Sequence, residues 1–342
     1  ENVYLKKLIP DLHVAIPKTA VIGMNEFDNF LENNNLYDVI FEDKEYNHVL
    51  EAFRTARLSE QLRNNLRKYL QVMTKPLAVR SSGLFEDSLN QPFAGVYSTY
   101  LLPNNHPDFE RRLEDVENAI KLVFASIYSP ESRAYFNAID YMIEEEKMAV
   151  IIQEVIGNEH NGRYYPEISG VAQSYNFYPF SYIQPEDGFA VTAIGLGAYV
   201  VGGEKTHRFS PAYPKLQLAS TQDKIKASQR YFYGVNMLAQ DYDLYRDGEN
   251  AAIKAYDISE AERDGTLEYT AVYDFMNDQI TYDFSVKGPR IVDFSKILQY
   301  DYFPLAPTLQ ILLNIFSQAM GSPVEIEFSV NFESGTPIFY LL

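Results

Sequence analysis

Two carboxylates stand two residues apart in Val324-Glu325-Ile326-Glu327-Phe328-Ser329-Val330, where apolar residues alternate strictly with polar ones. That period of two describes a β-strand with one face in a core and the other carrying Glu325 and Glu327. At about 3.3 Å per residue their Cα atoms would be about 6.6 Å apart, so both side chains could lean onto one or two hard cations. Oxygen ligands of this kind suit Mg²⁺. A half-exposed strand with a solvated acidic face accounts for the same residues, and only a nearby phosphate would separate the two readings.

Four other places carry residues suited to a phosphate or a base. Arg80-Ser81-Ser82 follows Leu77-Ala78-Val79, which puts a guanidinium and two hydroxyls at an expected strand end, where α/β sheets usually meet ligands. Simple pairing of Arg80 with Glu86 or Asp87 is the alternative. Phe93-Ala94-Gly95 begins another possible phosphate-facing loop. Gln153 interrupts the apolar run 148–156, and a buried amide there must find partners, either an adenine edge or neighbouring backbone. Gly195-Leu196-Gly197 follows the apolar run 189–194, so backbone could approach a ligand closely, although the tight turn of an ordinary crossover would use the same residues. Neither the Rossmann glycine spacing nor the P-loop lysine is present.

Other chemistries lack a foothold. His13, His48, His106, His160 and His207 are far apart in sequence, and none has metal-pair spacing. No Gly-x-Ser-x-Gly elbow occurs. The chain contains no cysteine, which removes disulfides, Cys-ligated zinc, iron–sulfur clusters and a thiol nucleophile together, and a reducing cytoplasm fits. With 29 Lys+Arg against 47 Asp+Glu the net charge is −18, which argues against nucleic acid as a partner. No apolar run reaches the roughly 18 to 20 residues of a membrane helix, so a soluble protein is expected with no membrane partner.

The elements that must position these residues read as mixed α/β. A Pro17-bounded apolar segment Thr19-Ala20-Val21-Ile22-Gly23, helical patterns up to Leu70 and a short run Leu77-Ala78-Val79 ending in Arg80 alternate as strands and helices in the first third. Leu113, Val116, Ile120, Val123 and Ile127 lie on one helical face, and that helix should stop near Ser129-Pro130. A buried strand is expected over 148–156, with further strands over 168–172 and 189–194. A lobe boundary is placed near 156. The polar, Tyr-rich stretch from about 215 to 290 reads as a surface excursion more than a core. Pro307 opens an apolar helix ending at Met320, where Gly321 and Pro323 are stop signals. The chain begins at Glu1 without Met and stops in a strand-like Phe339-Tyr340-Leu341-Leu342, as expected of an excised piece of a longer polypeptide.

In order, these motifs resemble the N-terminal ATP-binding domain of phosphoenolpyruvate synthase and pyruvate phosphate dikinase, an ATP-grasp fold also found in rifampin phosphotransferase. Ala78-Val79-Arg80-Ser81-Ser82 with Glu86-Asp87 is similar to the family's Val-Arg-Ser-Ser and acidic pair, and Phe93-Ala94-Gly95 with Thr99 to its phosphate loop. Val123-Phe124-Ala125-Ser126, Gln153, Gly170-Val171, Gly195-Leu196-Gly197 with Val200-Val201, and Glu325-Ile326-Glu327 follow in the family's order. The resemblance implies two ATP-grasp lobes, 1–156 and 157–342, with the nucleotide in the cleft between them. It implies that Arg80, as catalytic and triphosphate-binding residue, acts with Gly95 and Thr99. Gln153 and the backbone of Glu154 and Val155 would read adenine, Gly195 and Gly197 would approach the nucleotide, and Glu325 and Glu327 would bind Mg²⁺. In such enzymes ATP phosphorylates a histidine on a separate domain, which passes the group to pyruvate or another acceptor.

Departures from the pattern are also specific. The family's Gly-Gly-Lys is expected just before Glu1 and its Gln-x-Arg just after Leu342. An acidic residue common after Gly-Leu-Gly is Ala198 here, and an Arg common after the helix is Phe136, with Arg133 near enough to substitute. A second reading therefore keeps the fold as a non-catalytic nucleotide-binding or sensor module.

Overall fold

Apolar residues at three- and four-residue steps produce the helices Met24–Asn33, Tyr46–Thr55 and Glu60–Val72, and the third buries the single stripe Leu62, Leu66 and Leu70. Ser59 caps that helix, its hydroxyl accepting from the Leu62 N–H. The helix Phe109–Ser126 buries Leu113, Val116, Ile120 and Val123 as its spacing predicts. The chain then turns, and Ser129 caps the helix Pro130–Ala138. The computed structural model describes every residue except 1–5, 10, 11, 44, 84, 85, 87–94, 140, 180, 217–219 and 284, and the side chain of residue 43.

Two compact units result, each with its own core. The first comprises residues 18–155 and 235–253, the second 1–17, 156–234 and 254–342. In the first, an antiparallel sheet runs in the order Thr19–Ile22, Met148–Glu154, Leu77–Gly83, Thr99–Leu102. Alternation sends Ile22, Leu77, Val79, Tyr100, Leu102, Val150 and Ile152 into a core shared with the helices.

The second unit is built on a six-stranded sheet in the order His13–Ala15, Thr336–Leu341, Glu325–Glu333, Ile168–Gln173, Phe189–Ala193, His207–Phe209. Its neighbours are antiparallel apart from the first pair, which is parallel. The helix Leu305–Met320 contributes Leu305, Leu309, Leu312 and Leu313 to the core that holds Ile326, Phe328, Val330 and Phe339. Gly321 ends it in the left-handed conformation, φ 66°. The chain is thus a mixed α and β protein with several sheets. None of the described helices is long and apolar enough to cross a membrane.

The stretch from 215 to 290 differs from its expected surface character. It supplies the strands Tyr231–Asn236, Ile253–Asp257, Ala271–Asp274 and Gln279–Thr281, and Phe232, Val235, Ala261, Tyr269 and Val272 are buried. Tyrosine explains the difference: its ring is core material and only its hydroxyl needs a partner, as where Tyr269 Oη donates to the Glu167 carbonyl at 2.5 Å.

Two features of the second unit have measurable consequences. Gly170 faces Phe328 across the ladder, and a methyl group on it would collide with the Phe328 ring and the Val191 carbonyl. Gly170→Ala should therefore cost about 1–3 kcal/mol by overpacking, read as a lower denaturation midpoint. Glu167 is 5% exposed, and burial pushes its carboxyl up to about 7 despite the Phe332 N–H donating to it at 3.1 Å. An acid whose folded pKa is raised binds more protons when folded, so its contribution to stability falls as pH rises from about 4.5 to about 7. Glu167→Gln should flatten that part of the stability curve in chemical denaturation; an unchanged slope would exclude this carboxyl as its source.

Candidate functional site

Strand register brings the expected contacts of the first unit together. Arg80 stands opposite Thr99 on one side and Ile151 on the other, Ala78 opposite Leu101 and Gln153, and Gln153 opposite Thr19. Residues directly opposite, and residues two apart along a strand, share a face. Arg80, Thr99, Gln153 and Thr19 therefore occupy one face of a single sheet, interspersed with Val21, Ile151 and Leu101, while the other face enters the core. Thr19, Val21 and Thr99 are exposed, and Arg80, Gln153, Ile151 and Leu101 are half-buried.

Two expectations change in detail. Arg80 is not at a strand end: the ladder continues through Ser82 opposite Ala149 and Gly83 opposite Met148, so Arg80 is mid-strand. The polar tail can stay in the strand because Glu86 accepts from the Ser81 hydroxyl at 2.5 Å and the Gly83 N–H at 2.9 Å. Gln153 is not buried either; its Nε2 donates to Thr19 Oγ1 at 3.3 Å, a side-chain partner instead of backbone. The open face explains this, since the strand's other side takes the core.

At the end of that strand the Glu154 N–H donates to the Lys18 carbonyl and the Val155 N–H to the Pro76 carbonyl, both at 2.9 Å. Both backbone donors are thus engaged within the sheet. The Glu154 carboxylate, largely buried, pairs with Lys75 Nζ at 2.5 Å. Gly95 adopts φ +77°, and no described atom lies within 4 Å of where a Cβ would stand, so glycine is needed there for its backbone and leaves an open approach. Asp87, Phe93 and Ala94 lie outside the described residues.

In the second unit, Glu325 and Glu327 do share a face, opposite Gln173 and Val171, with Ile326, Phe328 and Val330 turned to the core. Gln173 Nε2 donates to Glu325 Oε2. The face is not solvated throughout: further along it Ser329 and Asn331 are buried. Among the described residues no group of three or more His, Asp or Glu converges on one point. Two carboxylates on one exposed strand end still fit Mg²⁺, which takes one or two protein carboxylates and fills its octahedron with water and phosphate oxygens.

The glycine loop is held by contacts remote in sequence. Gly195 has φ +86°, and a Cβ there would meet the Tyr233 carbonyl at 2.7 Å. The Leu196 N–H donates to that same carbonyl at 2.9 Å. Gln229, 3% exposed, accepts from the Ile194 N–H at 2.8 Å and donates to the Ile194 and Tyr231 carbonyls at 2.9 Å each. Gln229 is 35 residues away from Ile194, so no local signal announces it. Gly197 precedes the short helix Ala198–Val201, whose first residue Ala198 is exposed.

Arg133, expected to be near enough to substitute for the residue replaced by Phe136, is engaged inside the first unit. Its guanidinium donates to the Tyr128 carbonyl at 3.0 Å and the Ile40 carbonyl at 2.7 Å, and it stacks over the Tyr128 ring. Phe136 is core, 1% exposed. Both side chains are taken up inside the first unit, Arg133 also serving the Ile40 carbonyl of the Val39–Asp43 π-helix. Among the histidines, burial lowers the pKa of His207 to about 4, partly opposed by Asp293.

The family model for the pyruvate phosphate dikinase AMP/ATP-binding domain matches residues 2–342. Phosphoenolpyruvate synthase of Aeropyrum pernix is 25% identical over 268 residues, covering 78% of this chain and 27% of that protein. Phosphoenolpyruvate synthase of Deinococcus radiodurans is 28% identical over 241 residues, 68% of this chain and 26% of that protein. An uncharacterized phosphotransferase of Bacillus subtilis is 26% identical over 193 residues, 56% and 21% respectively. The chain spans 21 to 27% of the length of these relatives. On this match, carried almost from end to end, the chain belongs to the pyruvate phosphate dikinase AMP/ATP-binding domain family.

Proposed function

We propose that this chain is the Mg-ATP-binding, ATP-grasp domain of a phosphoenolpyruvate-synthase-like phosphotransferase, in which ATP phosphorylates a histidine on a separate domain that then serves pyruvate or a related acceptor. The observation that carries the reading is the common open face of Arg80, Thr99 and Gln153, fixed by register and backed by the family match. On that face Arg80 would neutralise phosphate oxygens. Thr99 and the open backbone at Gly95 would receive the same chain of phosphates, and Gln153 would meet the base edge beside the apolar Val21 and Ile151. In the second unit the glycine loop at Gly195 and Gly197 would approach the nucleotide, and Glu325 and Glu327 would hold Mg²⁺, which supplies charge neutralisation on the phosphates. Phosphoryl transfer in such a site rests on positioning and electrostatics, so no nucleophilic side chain is required of this domain.

A non-catalytic nucleotide sensor is the second reading. It is favoured by Ala198, which puts no carboxylate after the glycine loop, and by Arg133, whose guanidinium is occupied by backbone carbonyls. Nucleotide binding without transfer to a histidine domain, followed with γ-labelled ATP, would select it.

Calorimetric titration should give Mg-dependent binding of ATP and weaker binding of GTP. Arg80→Ala should weaken ATP by about tenfold or more, the worth of a charge-assisted contact of about 1.5–3 kcal/mol. Unchanged affinity would remove Arg80 from the triphosphate. Glu327→Gln should reduce the Mg²⁺ dependence while leaving metal-free affinity in place; an equal loss with and without metal would remove the metal assignment.

A further inference from the structure

Residues 235–253 form an arm that packs with the first unit, although the chain on both sides, up to 234 and from 254, belongs to the second. Its base is closed by the Asn236 N–H donating to the Ala252 carbonyl at 2.8 Å. Four contacts dock its body. Leu244 enters the first unit's core, Tyr242 Oη donates to Asp115 at 2.8 Å, Arg111 donates to the Tyr242 carbonyl at 3.1 Å, and Asn105 donates to the Met237 carbonyl at 2.7 Å. Beyond Leu244 the arm reaches the edge strand Thr99–Leu102, where Glu249 Oε1 accepts from the Thr99 N–H at 2.6 Å. Glu249 is exposed, so a charged carboxylate sits on a backbone donor four residues after Gly95 and directly across the ladder from Arg80.

We infer that Glu249 is a built-in competitor for the phosphate loop: its carboxylate occupies the Thr99 donor in place of a nucleotide phosphate oxygen, and nucleotide must displace the tip of the arm to engage that donor. This inference rests on the nucleotide reading of the Arg80 face. Carboxylate and phosphate oxygens are equivalent acceptors for a backbone N–H, and two anions cannot share one donor without strong repulsion. The body of the arm is anchored independently of Glu249, so the tip can release while Leu244 and Tyr242 stay docked. A plain structural role, capping an unpaired strand edge, would need only an acceptor oxygen and no charge.

The test compares wild type with Glu249→Gln, which keeps an acceptor oxygen without the charge, and Glu249→Ala, which removes both, by calorimetry with ATP and with adenosine. Both variants should bind ATP about three- to tenfold more tightly than wild type, with the gain shrinking at high salt and adenosine affinity unchanged. Wild-type ATP binding that Glu249→Gln leaves unchanged or weakens would overturn the competitor role while the nucleotide site stands. Loss of affinity in Glu249→Ala rescued by Glu249→Gln would mark edge capping and also overturn it. Failure of every form to bind ATP would remove the nucleotide reading, and the competitor with it.

Discussion

Slipping the Leu77–Gly83 strand by one residue against Met148–Glu154 would turn each of its side chains to the opposite face. Arg80 would then enter a core lined by Ile152 and Leu102, and Leu77 and Val79 would meet water. Burying an unpaired guanidinium is far costlier than any local gain, so the core holds the register and the register holds Arg80, Thr99 and Gln153 together. The candidate site is in this sense a by-product of hydrophobic burial on the other side of the same sheet.

The second unit solves the same problem with a tighter fit. Glu325 and Glu327 face outward because Ile326, Phe328 and Val330 face inward, and Phe328 can pack against its neighbouring strand only because Gly170 has no side chain. The glycine loop is constrained from outside itself: Gln229 satisfies both the N–H and the carbonyl of Ile194, and the Tyr233 carbonyl takes the Leu196 N–H. Every polar group of the Gln229 amide is used, which stiffens the approach to Gly195 at little cost in desolvation.

Tyrosine is the material that lets an acidic chain bury so much of its length. The chain carries 27 tyrosines, and Tyr97, Tyr165, Tyr242 and Tyr269 each place a ring inside while the hydroxyl reaches Glu146, Asp264, Asp115 or the Glu167 carbonyl. A polar-looking segment can therefore fold into a core, and the 235–253 arm shows the same device, with Leu244 and Tyr242 docking a stretch rich in turn residues.

Local periodicity is enough to place the elements and their faces wherever the pattern is strong. The alternation around Glu325 and Glu327 and the helical stripe from Leu113 to Val123 report local geometry directly, because side-chain period follows backbone type. The order of motifs along the chain also carries the family resemblance, because it needs no partner from elsewhere in the fold. Tertiary structure decided what depends on residues distant in the chain: the open position of Gln153, the mid-strand position of Arg80, the occupation of Arg133 by the Ile40 carbonyl, the clamp by Gln229 and the seat of Glu249 on Thr99. Each is a pairing across tens of residues in which hydrogen-bond satisfaction and burial choose the partner, and neither quantity is defined until the chain has closed on itself.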